Sequence, residues 1–193
     1  TMGDMGCSAA VAAVDLAVRL LKGEKTAKRV MMLALEPVSN LFQKTDNPSA
    51  IVGNTLFGEG CAGIIVSSYR EPALYKVGPA QRILRADDEG IEAIKLVNGP
   101  DGPMIQLSKN ISKVAGEAVE MNLKRIVPKV LTTGDKLRYV VTRKTPRWQK
   151  RIDRWAIHPG GIKVLKAMQK NLKLADADVG PSYRVFQERS NMS

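Results

Sequence analysis

Two side chains in this sequence stand where chemistry could be done: Cys7 and His158. Cys7 sits where a glycine-containing turn becomes an apolar run, in GDMGCSAAVAAVDLAVRLL, Gly3 to Leu21. From Ala9 to Val14 there is no polar residue, and Asp15, Arg19 and Lys22 come late and on one face. A helix that is apolar all round at its start is buried there. Cys7 would then lie at the inner N-terminus of a buried helix, where unpaired N–H groups and the helix dipole favour a thiolate nucleophile. The competing reading is an inert buried thiol, because free cysteine is among the most buried residue types. His158 is the single histidine of the chain and precedes Pro159-Gly160-Gly161. Read as the end of a strand before a helix, it stands where ligands bind in layered α/β proteins. A hydrogen-bonded structural histidine is the alternative.

Other chemistries lack their residues. One histidine and two distant cysteines supply no metal-ligand spacing. There is no phosphate-binding GxxxxGK[ST] loop, no GxGxxG and no Gly-x-Ser-x-Gly elbow. The two cysteines, Cys7 and Cys61, imply no disulfide framework. No run of 18 apolar residues is present, so no transmembrane helix is expected within the chain, and no signal-peptide pattern opens it.

The elements that must position these residues alternate. Arg29 to Glu36 and Cys61 to Ser68 read as buried strands, with Cys61 structural. The glycine-punctuated turn Phe57-Gly58-Glu59-Gly60 lies between them. Ala73 to Arg85 reads as a strand broken at Gly78-Pro79, and Ala86 to Gly90 as an acidic turn. Ile91 to Val97 and Met104 to Leu107 form a predicted hairpin. A helix follows from Ser108 or Asn110, ending at Pro128. A basic excursion with a short helix leads to a strand at Trp155–His158. Helices are then expected at Ile162–Leu174 and Tyr183–Glu188, linked by 176–182. This alternation is the signature of an α/β layered architecture.

The chain of 193 residues carries a net charge of +11, unevenly spread. Between Lys124 and Lys173 there are 15 Lys and Arg against Asp135 and Asp153, a balance of +13. The remainder is slightly acidic. Such a block attracts phosphates, anionic lipid headgroups or nucleic acid, or is a solvated face.

Four segments together carry a resemblance: Met5-Gly-Cys-Ser-Ala9, Phe57-Gly-Glu-Gly60, Trp155-Ala-Ile-His-Pro-Gly-Gly161 and Ser190-Asn-Met-Ser193. Their order resembles that of the thiolase-superfamily condensing enzymes. Within it the chain looks most like the plant-type 3-ketoacyl-CoA synthases of very-long-chain fatty acid elongation. GDMGCSAAVAAVDLA resembles their GMGCSAG helix, and Leu107 to Ala118 resembles their LSKD…AGEAL helix. Type III polyketide synthases of the chalcone synthase kind are next, since IVGNTLFGEG and WAIHPGG look closer to theirs.

The resemblance implies a thiolase-like fold with layered αβαβα order. This chain would be a fragment of it: residues 1–72 the end of the N-terminal half with the nucleophile helix, and 73–193 a truncated C-terminal half. It implies Cys7 as acyl-accepting nucleophile, His158 and Asn191 as holders of the extender thioester, and Phe57, Gly160 and Gly161 as substrate-binding residues. Acyl-CoA and malonyl-CoA would be substrates, with no metal and no organic cofactor. A homodimer in full-length form and the cytosolic face of the endoplasmic reticulum membrane are implied too, with an anionic membrane surface as a further partner and nucleic acid not expected. Ser190 departs from the pattern, standing where the family has Gly, a change that matters if that position uses positive φ. The non-enzyme alternative is a basic fragment that binds an anionic surface or nucleic acid.

Overall fold

The computed structural model describes residues 6–69, 73–78, 80–82, 85–142 and 148–193. The turn before Gly6, Pro79 and part of the strand expected at 73–85 fall outside them. A 3-10 turn at Gly6–Ser8 leads into α1 (Ala9–Gly23), and β1 (Arg29–Glu36) follows. After α2 (Pro48–Leu56), capped by the Asn47 side chain, comes β2 (Gly60–Ser67). β1 and β2 pair antiparallel, from Arg29 opposite Ser67 to Glu36 opposite Gly60.

α1 packs against this two-stranded sheet, and Ala12, Ala17, Met32 and Val66 are buried around it. The strands form where the alternation placed them, but they are not buried on both faces. Met31, Leu33, Leu35 and Ile65 share the other face, each more than 60% exposed. Cys61 opposes Leu35 there and is also exposed. α1 likewise is not buried all round, since Val11, Leu16 and Leu20 face outward. A single two-stranded layer gives α1 only one surface to cover.

The described residues between 73 and 85 form no strand, and Leu74 and Tyr75 are almost fully exposed. α3 (Asp88–Ala93) replaces the expected acidic turn. Asp87 caps it by accepting from Gly90 N–H at 2.8 Å, which makes the acidic run a helix start. β3 (Ile94–Gly99) and β4 (Gly102–Leu107) form the hairpin, and Pro100 and Asp101 alone make its turn.

α4 (Ile111–Val130) runs two residues beyond the proline expected to stop it. Pro128 lies in the last turn, where little of the hydrogen-bond ladder remains to break. α5 (Thr133–Thr142) is the short helix of the basic excursion, and a 3-10 turn follows at Trp148–Arg151. Trp155–His158 is not a strand. The Ile157 N–H instead bonds the Ser182 hydroxyl at 3.1 Å.

α6 (Ile162–Leu172) is close to its expected span, and α7 (Asp176–Arg189) is longer than its own. The stretch 176–182 looks like a linker because it holds Gly180 and Pro181. It is helical because the Asp178 carboxylate accepts from Ala175 N–H at 3.0 Å and Val179 is buried. Trp148, Leu172, Leu174 and Val179 are the buried centre, with Leu123, Val127, Trp155 and Ile157 packed on it. The two tryptophan rings meet edge to face at 5.8 Å.

Candidate active site

Cys7 lies in the 3-10 turn two residues before α1 and is half-buried. The C-terminal segment reaches it from the far end of the chain. The Ser193 hydroxyl lies 3.7 Å from Cys7 Sγ, hydrogen-bond distance for sulfur, and the Asn191 side chain also acts on the thiol as a hydrogen-bond partner. Asn191 is 3% exposed, and its Oδ1 accepts from Ser193 N–H at 2.9 Å. Its backbone is clamped as well. Asn191 N–H donates to the Leu56 carbonyl at 3.0 Å, and Gly58 N–H donates to the Asn191 carbonyl at 2.8 Å. Phe57 and Asn191 are thereby paired as an isolated parallel bridge.

The Phe57-Gly-Glu-Gly60 turn explains itself in this geometry. A Cβ on Gly58 would lie 2.4 Å from the Arg189 carbonyl oxygen, so only glycine lets the chain approach so closely. Glu59 accepts from the Ser39 N–H and hydroxyl, which fixes the turn from its other side. Phe57 lines a cavity of about 190 Å³ with Phe42, Ala50, Asn54 and Ile105.

His158 joins the same neighbourhood indirectly. Gly160 N–H bonds the His158 carbonyl at 2.9 Å, folding the loop back on itself. A Cβ on Gly160 would lie 3.2 Å from the imidazole Cδ2, so the bare backbone supports the ring. Gly161, at φ +142°, is the N-cap of α6, and a Cβ there would lie 3.5 Å from Leu56 Cδ1; the Leu56 carbonyl holds Asn191. Among the described residues no hydrogen bond joins the imidazole to Cys7 or Asn191.

The electrostatics correct the expectation of a thiolate at the helix start. Burial pushes the Cys7 thiol above its ordinary pKa, and the Glu36 charge pushes the same way. The hydrogen bonds from Ser193 and Asn191 oppose this without overcoming it. Desolvation by burial is the largest effect on the sulfur and outweighs the groups that favour the thiolate. Burial alone lowers His158 below its usual value, so the imidazole is neutral near pH 7. Cys7 and His158 therefore rest as thiol and imidazole. Cys61, expected as a structural residue of a buried strand, has an exposed side chain instead.

Glu36, Leu56, Ser182 and Ser193 were not singled out from the sequence. Glu36 ends a strand and Ser182 lies within a helix, and neither position carries a signal by residue type. Only tertiary contacts reveal them.

Residues 1–146 match the model of the FAE1/Type III polyketide synthase-like protein family. The chain belongs to this family. Full-length similarity extends past that match and takes in His158 and Asn191. The chain is 28% identical to 3-ketoacyl-CoA synthase 7 of Arabidopsis thaliana and 30% identical to a probable 3-ketoacyl-CoA synthase 20 of Oryza sativa subsp. japonica. All of the chain is covered in both alignments, against 45% and 40% of those proteins. Among solved structures it resembles PKS-I of the brown alga Ectocarpus siliculosus, with a TM-score of 0.75 at 21% identity over 96% of this chain and 45% of that one. It also resembles the C-terminal type III polyketide synthase domain of Steely1 from Dictyostelium, with a TM-score of 0.71 at 20% identity over 98% of this chain and 50% of that one. The fold is thus thiolase-like α/β, and the chain spans half or less of the length of these relatives.

Proposed function

We propose that the protein containing this chain is a 3-ketoacyl-CoA synthase-type condensing enzyme, and that Cys7, His158 and Asn191 carry its chemistry. The supporting observation is the meeting of the two ends of the sequence, with the Ser193 hydroxyl 3.7 Å from Cys7 Sγ and Asn191, two residues before it, clamped by Leu56 and Gly58. In this reading the Cys7 sulfur attacks the carbonyl of an acyl-CoA thioester. The thiol proton passes to the neutral His158 imidazole and on to the leaving CoA thiolate, which departs as free thiol. Malonyl-CoA then enters and loses CO₂. The imidazole N–H and the Asn191 amide donate to its thioester oxygen as enolate charge grows, each worth on the order of 3 kcal/mol in such sites. The enolate carbon attacks the Cys7 thioester, the C–S bond breaks with its electron pair on the sulfur, which takes a proton from water to return to the thiol, and a 3-ketoacyl-CoA two carbons longer leaves. No metal or organic cofactor enters this scheme.

Phe57, with Gly160 and Gly161, borders the substrate in this reading. Residues 1–72 and 73–193 would belong to the two halves of the fold, in an assembly that pairs two copies at the cytosolic face of the endoplasmic reticulum membrane. A type III polyketide synthase is the second reading, favoured by the solved structures the fold resembles. The test is a chimera in which this chain replaces the matching segment of a 3-ketoacyl-CoA synthase. Cys7→Ala should abolish acyl loading, whereas Asn191→Ala should keep loading and lose malonyl-CoA decarboxylation. Equal loss of loading in both variants at unchanged stability would contradict the division of roles. A product extended once supports the synthase, and one extended repeatedly supports the polyketide reading.

A further inference from the structure

Helix α5 presents its apolar residues to solvent and its acidic residue to the protein. Leu137, Val140 and Val141 recur at helical spacing and form one stripe, 65%, 58% and 74% exposed. Asp135 lies on the opposite side, and its carboxylate accepts from Arg151 at 2.8 Å and from the Thr132 hydroxyl at 2.7 Å. These bonds fix which side of the helix faces in, because the Asp135 side chain is only 12% exposed. Lys136 and Arg138, both exposed, flank the stripe on either side of the helix. A long basic side chain can lay its methylenes along an apolar stripe and hold its charge at the level of lipid headgroups.

We propose that α5 is an in-plane membrane helix that seats Leu137, Val140 and Val141 into the interface of an anionic bilayer. Charge selects the occupant. The stripe lies within the segment whose balance is +13, and basic side chains near an anionic leaflet each strengthen attachment. The stripe is an outward helix face, each of its three apolar residues more than half exposed. Such a face suits a fluid apolar boundary, and an apolar centre does not suit a nucleic acid backbone. The proposal is independent of the condensation reading. At ten residues α5 lies on a membrane and does not span one.

The test is flotation of the full 193-residue chain, at concentrations below self-association, with vesicles of phosphatidylcholine alone or with roughly 30 mol% phosphatidylserine. Binding should require phosphatidylserine and weaken as salt rises. The triple change Leu137→Ser, Val140→Ser and Val141→Ser should weaken it at least about tenfold, as should Lys136→Glu with Arg138→Glu. Circular dichroism should be unchanged in both, and Leu33→Ser should bind as the parent does. Phosphatidylserine binding that neither α5 variant alters would overturn the proposal. So would a stripe variant that loses self-association or nucleic acid binding while keeping vesicle binding, which would assign the ridge to a protein or nucleic acid.

Discussion

At the scale of single residues, the thiol is governed by burial against a few polar neighbours. Glu36 raises the Cys7 pKa and Ser193 lowers it, so removing each should move the thiol in opposite directions. Glu36→Gln should speed iodoacetamide labelling of Cys7 at a fixed pH just below the thiol pKa, and Ser193→Ala should slow it. Labelling resolved by peptide mass separates Cys7 from Cys61, and parallel shifts in the two variants would remove this account of the pocket. Because the folded thiol titrates above its unfolded value, the fold loses stability as pH rises past the unfolded value. His158 has the mirror-image effect. Its folded pKa lies below the unfolded value of about 6.5, so the unfolded chain gains its proton first and stability falls as pH drops below that value. Ser190 is a strained residue beside the candidate site. Its φ of +58° with ψ of −155° lies in a region essentially reserved for glycine. Ser190→Gly should stabilise the chain by about 1 kcal/mol in denaturant unfolding, and a destabilised variant would show that the serine makes a compensating contact.

At the scale of elements, the loop carrying His158 depends on α7. Ser182→Ala should cost about 1 kcal/mol, because it leaves the Ile157 N–H without its partner. The chain has one histidine, so in the chain by itself a single imidazole resonance reports its titration. Its midpoint should lie below the ordinary value in the parent and closer to it in Ser182→Ala, if loosening the loop admits water. An unmoved midpoint would show that the Ser182 bond does not control the access of water to the ring. These elements also mark what the sequence made legible. β1, β2, the β3–β4 hairpin, α4 and α6 were readable because their apolar spacing is local. Trp155–His158 was misread as a strand because apolar run and length match a strand, whereas the deciding bond comes from Ser182 in a later helix. The first turns of α7 were misread because Gly180 and Pro181 signal a break, and the buried Val179 that outweighs them is a tertiary fact.

At the scale of the whole molecule, the two ends of the chain meet at the candidate site, where Ser193 reaches Cys7. Cys7 and His158 were visible as residue types, and Asn191 through its likeness to a family motif. Their arrangement was not, because the Leu56 carbonyl and Gly58 N–H that seat Asn191 are backbone groups without a sequence signature. The outer sheet face of Met31, Leu33, Leu35 and Ile65 is a contiguous apolar surface of the kind that drives association. The chain by itself should bind an apolar-sensing dye and self-associate with rising concentration. Leu33→Ser with Leu35→Ser should reduce both, and a dye signal unchanged by them would place the exposed apolar surface elsewhere. The central claim is that Cys7, and not the more exposed Cys61, accepts the acyl group. It is tested most directly by incubating the chimeric synthase with a long-chain acyl-CoA and mapping the thioester by peptide mass. The account predicts one acyl group on the Cys7 peptide, matched by released CoA and absent from Cys7→Ala. An acyl group on Cys61, or equal loading of Cys7→Ala and parent, would contradict it.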